Sequence, residues 1–280
     1  MLARVEIEEH LMKHFVGTVA VIFLALPMSA GYSYRFQSVS SGGSSKGITG
    51  SVRTEGSSLR VDVEKGDGLL MKDHAVVISA DGGKTILVAE PSAATYYVLS
   101  LQDALAGATG ILKQLGGIVS VSVGSSRVVT SNGGSGGVIE GRPTSRVTVD
   151  VACDLRISIM GEKMTQRLTI RTESWLTDRI PGSAMTFLQL QGLRTGIEGL
   201  DRLIESQSAA IGTRFPLKQV TTTSLHQGNS VKTTVTTSTV SAIRQVSVAP
   251  DAFNVPSTWR KVPSPLDAMM KTMNGALRAH

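Results

Sequence analysis

Val147-Thr-Val-Asp-Val-Ala-Cys-Asp-Leu-Arg-Ile-Ser-Ile159 carries an apolar side chain at every second position. Successive side chains of a strand point to opposite faces, so this parity predicts one dry face and one wet face. Val147, Val149, Val151, Cys153, Leu155, Ile157 and Ile159 take the dry side, and Asp150, Asp154 and Arg156 take the other. The stretch is a long strand, or two joined by a bend. Cys153 sits on the dry parity, where apolar surroundings raise a thiol pKa, so it reads as a buried structural thiol rather than a nucleophile.

The same period continues on both sides. Gly161-Glu-Lys163 turns the chain into a second strand, Leu168 to Trp175. Thr-rich segments 220–226 and 231–243, split by Gln227-Gly-Asn-Ser230, read as a hairpin with Val231, Thr233, Val235 and Thr237 on one face. Upstream, Tyr32, Tyr34 and Phe36 share a parity, as do Leu59, Val61 and Val63. Ala75–Ile78 and Thr85–Val88 flank Asp81-Gly82-Gly83, a hairpin signal because these residues accept positive φ cheaply. Glu90-Pro91-Ser92 turns into the strand Thr95–Leu99.

Two stretches have helical period. Leu101, Leu105, Ala108, Ile111, Leu112 and Leu115 form one stripe, stopped by Gly116-Gly117. In 183–210, Leu190, Leu193, Ile197, Leu200 and Ile204 form another. Gly107, Gly110, Gly192, Gly196 and Gly199 weaken these helices by roughly 1 kcal/mol each relative to alanine. They fit either close packing on a sheet or covers that can lift from it. A short helix is expected at 266–278, and loops at 40–45 and 131–137 (SNGGSGG). The expected fold is α+β: an antiparallel sheet with helices as excursions.

Val16–Leu26 is an apolar run preceded by Lys13 and followed by Pro27 and small residues. It is shorter than the ~20 residues of a membrane span and reads as a signal peptide over 1–31, with Met1 or Met12 as the start. The alternative is an N-terminal core segment or uncleaved anchor. Cleavage would leave no permanent membrane span, and no cysteine near the site marks a lipid anchor. The destination is the periplasm or the exterior. Residues 32–265 form the expected domain and 266–280 a helical tail.

The net charge is +6, and losing Arg4 and Lys13 with Glu6, Glu8 and Glu9 raises it by one. The 12 aromatics are few and the basic residues scattered, a pattern unlike the stripes and stacking platforms of nucleic-acid readers. One cysteine among 280 residues excludes a disulfide framework or a multi-thiolate zinc site. His74 and His226 have no ligand-spaced partner, and no cofactor is implied. Gly133-Gly-Ser-Gly-Gly137 matches G-x-S-x-G in letters, but no helix follows to make a nucleophile elbow. The chain reads as a non-enzyme.

Leu59–Val63, Asp81-Gly82-Gly83, Ala94–Val98, Glu140-Gly-Arg-Pro143, Glu173-Ser-Trp-Leu-Thr177 and Ile180-Pro181, in that order, resemble the periplasmic LolA/LolB-like lipoprotein-carrier superfamily, including its LppX/LprG-like members. The Trp-Leu-Thr and Gly-Arg-Pro pieces look most like a secreted bacterial family of unknown function grouped near those carriers. The resemblance implies a curved antiparallel half-barrel with helices packed on its concave face and a lipid or lipidated protein held between the layers. Leu105, Ile111, Leu112, Leu115, Leu193, Ile197, Leu200, Ile204 and Trp175 are then the candidate apolar ligand-binding residues. The same residues equally suit an ordinary core. That would leave a structural or sensory module contacting an envelope protein partner through a convex face or an edge such as 231–239.

Overall fold

The computed structural model describes residues 31–41, 47–66, 71–100, 119–159, 162–180, 202, 205–206, 209–265 and 267. Among the described residues twelve strands form one sheet: β1 (Tyr32–Ser41), β2 (Ile48–Glu55), β3 (Ser58–Lys65), β4 (Val76–Ser79), β5 (Thr85–Glu90), β6 (Thr95–Ser100), β7 (Val119–Ile139), β8 (Arg142–Ile159), β9 (Glu162–Thr177), β10 (Phe215–Gln227), β11 (Ser230–Gln245) and β12 (Arg260–Lys261). Their order is β12-β6-β5-β4-β3-β2-β1-β11-β10-β9-β8-β7. The chain starts mid-sheet, meanders outward to β6, resumes at the far edge and meanders back to meet β1. All neighbours are antiparallel except β12 with β6.

This architecture corrects the expected fold class. The described residues form one open sheet, and among them no helix lies packed across it. Helical conformation there is confined to Arg202, Glu205, Ser206, Ala209–Ile211, Pro265, Asp267 and two 3-10 turns. The physical reason is that period-two structure reaches further than composition suggested. Ser131–Gly137, read as a loop, continues β7, held by the ladder to β8 that runs from Val119↔Ile159 to Ile139↔Arg142. The expected helix at 101–117, nearly all of that at 183–210 and the signal segment 1–30 lie outside the described residues.

A second correction concerns the edge. The Thr-rich strand over 231–239 belongs to β11, which is paired on both sides, with β1 and β10. The long edge is β7.

Several hairpins form as their turn chemistry dictates. Asp81 Oδ1 accepts from the Thr85 N–H at 2.9 Å and from Ser79 Oγ at 3.1 Å, while Gly82 and Gly83 supply φ of 75° and 88°. Glu140 (φ 50°) and Gly141 (φ 70°) turn β7 into β8, and Gly228 turns β10 into β11. Glu140 also accepts from the Ala242 N–H of β11 at 3.1 Å, although β9 and β10 lie between in sheet order. Strands sit about 4.8 Å apart, so the sheet curls strongly at this end. At the C-terminus Ser264 and Asp267 cap each other's backbone N–H groups around Pro265, a reciprocal helix start.

Alternation sorts the two faces. Tyr34, Phe36, Val52, Val61, Val77, Ile86, Val88, Tyr97, Val147, Val149, Leu217 and Val240 belong to one buried cluster, fed by both meanders. On the opposite face Val76, Ile78 and Ala89 are covered by Val248 and Phe253 of the C-terminal segment. Arg60 donates to Ala252 O at 3.1 Å and ties that segment down.

Candidate functional site

The inner face of the curled sheet has two chemistries. One end is apolar: Tyr34 meets Phe215 edge-on at 5.6 Å, and Leu217, Leu176, Ile180 and Ile211 join the same cluster. Arg214 closes this end, donating to Ala210 O at 2.8 Å, Ile211 O at 3.2 Å and Ser145 Oγ at 3.2 Å. Burial pushes the Tyr34 phenol pKa far up, and burial with the Glu90 charge pushes Tyr97 up to about 12.

Further along, the floor turns polar. Ser238 Oγ donates to Ser38 Oγ at 3.0 Å, and Gln219 Nε2 donates to Ser174 Oγ at 2.8 Å, making a rung across β1, β11, β10 and β9. Two residues on, Ser40 and Thr236 hydroxyls lie 2.9 Å apart and those of Thr172 and Thr221 3.4 Å apart. Thr172, Ser174, Gln219 and Thr236 are all buried. Among the described residues four buried side-chain atoms lack partners: Tyr34 Oη, Thr54 Oγ1, Gln166 Oε1 and Gln219 Oε1. By register all four belong to this inner face.

At the junction of the two chemistries a hollow opens beside Ser238, walled by Phe36, Ser38, Ile48, Gln219 and Val240. Its cavity volume is about 20 Å³, room for one water-sized group.

Of the candidate ligand residues, Leu105, Ile111, Leu112, Leu115, Leu193, Ile197, Leu200 and Ile204 lie outside the described residues. Trp175 is half-buried on the parity opposite Ser174 and Leu176, so its ring lies on the outer face. There Lys218 Nζ stands 4.8 Å from the ring centroid. Gly136 lets the edge strand lie against it, since a Cβ there would meet Trp175 Cδ1 at 2.8 Å.

Cys153 is a free, buried thiol whose pKa is raised by burial and by Asp154. Asp150 is paired with Arg171 at 3.3 Å, and Asp154 accepts from Ser125 at 2.6 Å. Ser135 of the G-x-S-x-G match is exposed within β7, with strand on both sides. Among the described residues no three His, Cys, Asp or Glu side chains could hold a metal, and no helix is long and apolar enough to cross a membrane.

The polar rungs are what the sequence reading missed. In β11 burial falls on Thr236 and Val240, not on the Val231–Thr237 parity, and Val231 is 53% exposed. Threonine occupies both parities of this strand, so period-two contrast vanishes.

Fold and floor together define a single-layer antiparallel sheet curled around one covered, half-polar face. No family model and no curated protein sequence matches the chain. Among solved structures it is similar to the crystal structure of a LolA superfamily protein from Nitrosomonas europaea. That match has 9% identity, covers 82% of this chain and 92% of the other, and has a TM-score of 0.34.

Proposed function

We propose that the protein is a non-catalytic cell-envelope protein, periplasmic or secreted, that shelters a hydrophobic or lipidated ligand against the inner face of its sheet. The observation that supports this is the floor itself, one apolar cluster fed by both meanders on a single face of a sheet that does not close. The hollow of about 20 Å³ is far below the roughly 300 Å³ of a small-molecule site. An acyl chain therefore enters only as the packing over the floor opens. Burial returns about 0.8 kcal/mol per methylene, so roughly ten methylenes supply about 8 kcal/mol toward that opening. Native mass spectrometry of protein purified gently from its host is expected to show an acyl-bearing adduct. A strictly empty chain refutes the reading.

A second reading, a structural or sensory interaction module with a filled core, is favoured by the same small volume. It is favoured too by the 21-residue edge strand β7, with Val129 and Val138 exposed. In that case the chain is empty and co-purifies with an envelope protein bound through β7.

A further inference from the structure

We propose that the hollow at Ser238 is a binding site for one hydroxyl group, either a water or the hydroxyl of an amphiphilic ligand, recognised by the side-chain amide of Gln219. Gln219 is 3% exposed and walls the hollow. Its Nε2 is committed to Ser174 on β9, the hollow is lined from β1, β2, β11 and β10, none of its lining residues lies on β9, and Oε1 has no hydrogen-bond partner. A buried carbonyl oxygen left unpaired has lost its water without a bond to replace it. The volume fits one oxygen with its hydrogens.

The chemistry points to an O–H group in particular. With the amide as placed, the guest must donate to Oε1. With the amide turned over, Ser174 donates to Oε1, and Nε2 faces the hollow and needs an acceptor. A hydroxyl satisfies either arrangement; an ether oxygen satisfies only the second and an ammonium only the first. Ser238 Oγ, which spends its hydrogen on Ser38, keeps acceptor capacity beside the guest. Phe36, Ile48, Pro216 and Val240 give the wall apolar surface beside Gln37, Lys218 and Thr239, and an alkyl chain attached to that hydroxyl continues along this apolar side onto the floor.

The ligand half of this inference rests on the sheltering function proposed above; the water half does not. The first test is a high-resolution crystal structure of the unliganded chain. An ordered water at 2.7–3.2 Å from the Gln219 amide is expected, and a hollow without density, with Gln219 paired to protein, overturns the water half. The second is calorimetric binding of 1-decanol against methyl decyl ether, which share the chain but differ in the O–H. The alcohol is expected to bind about three- to tenfold tighter, the usual net worth of one hydrogen bond. The ratio should fall to about one in Gln219→Leu and in Ser238→Val, which fills the hollow and serves as the second variant if the first fails to fold. Equal binding of the two probes by the native chain overturns the ligand half. Binding of neither probe refutes the sheltering function and the ligand half together, and the crystal structure alone then decides the water site.

Discussion

Leu217 and Lys218 are neighbours on β10 that the pleat sends to opposite faces, so truncating each to alanine measures the register of the sheet. Leu217 is 0% exposed and joins the inner cluster just where β10 is bulged against β9, between Pro216 and Lys218. Leu217→Ala deletes three carbons, worth about 2.4 kcal/mol at about 0.8 kcal/mol each. The residual cavity brings the loss to about 3–5 kcal/mol, because paired strands on both sides restrict collapse. Lys218→Ala removes an ammonium 4.8 Å from the Trp175 ring on the outer face, worth about 0.5–1 kcal/mol at a site of this exposure. The two variants should therefore differ by at least about 2 kcal/mol. Equilibrium urea unfolding followed by far-ultraviolet circular dichroism reads this difference, with unchanged slopes showing that the transition remains comparable. Equal losses, or a loss below about 1 kcal/mol for Leu217→Ala, refute the placement of Leu217 in the core and the face assignment built on it.

Asp62 accepts from Arg53 at 2.7 Å and from Arg60 at 2.9 Å. Burial alone would raise its pKa, but the hydrogen bonds and charges of Arg60 and Arg53 hold it below the ordinary aspartate value. Its contribution is thus complete above about pH 4 and disappears as pH falls through the lowered folded-state pKa. Asp62→Asn should cost about 1 kcal/mol at neutral pH, since all three side chains are partly exposed. It should also flatten acid unfolding curves, and an unchanged acid limb in urea titrations at pH 2–5 (roughly the carboxylate range) contradicts the network. Gly141 holds φ of 70° with open space around it, so Gly141→Ala carries a purely conformational loss of about 1–2 kcal/mol. A thermal melt showing no loss rules out the left-handed turn between β7 and β8.

The hairpins were legible because their causes are local. Asp81 binds the backbone it turns, Gly82 and Gly83 supply the positive φ, and Val77 then faces Val88 as the alternation requires. Strand order was not legible, since nothing in Ser230–Gln245 says that it will lie between β1 and β10 rather than at an edge. Ser131–Gly137 misled for the related reason that β propensity depends on the partner. Its glycines become strand through the ladder to β8, absorbed by register shifts around Ser135. Trp175 enters the candidate lining through the family resemblance. Its parity, one off Ser174 and Leu176, already placed it on the other face.

The polar stretch of the inner floor bears directly on whether that floor is merely a core. A sheet face with no task beyond packing is filled by β-branched and aromatic residues, as Val52, Val61, Val77 and Ile86 fill theirs. Here the corresponding positions on β9, β10 and β11 are Ser174, Gln219, Thr221 and Ser238. Their hydroxyl pairs satisfy one another, yet among the described residues four buried polar atoms on the same face find no partner. Buried polar atoms are ordinarily paired with protein or ordered water, so each of these marks a place for a water or a guest group. Waters alone would make the floor a wet core; a guest with an alkyl chain and a hydroxyl matches both the apolar end and the polar end of one continuous surface. Because the two ends are joined at Ser238, the 1-decanol and methyl decyl ether pair separates these cases at a single side chain.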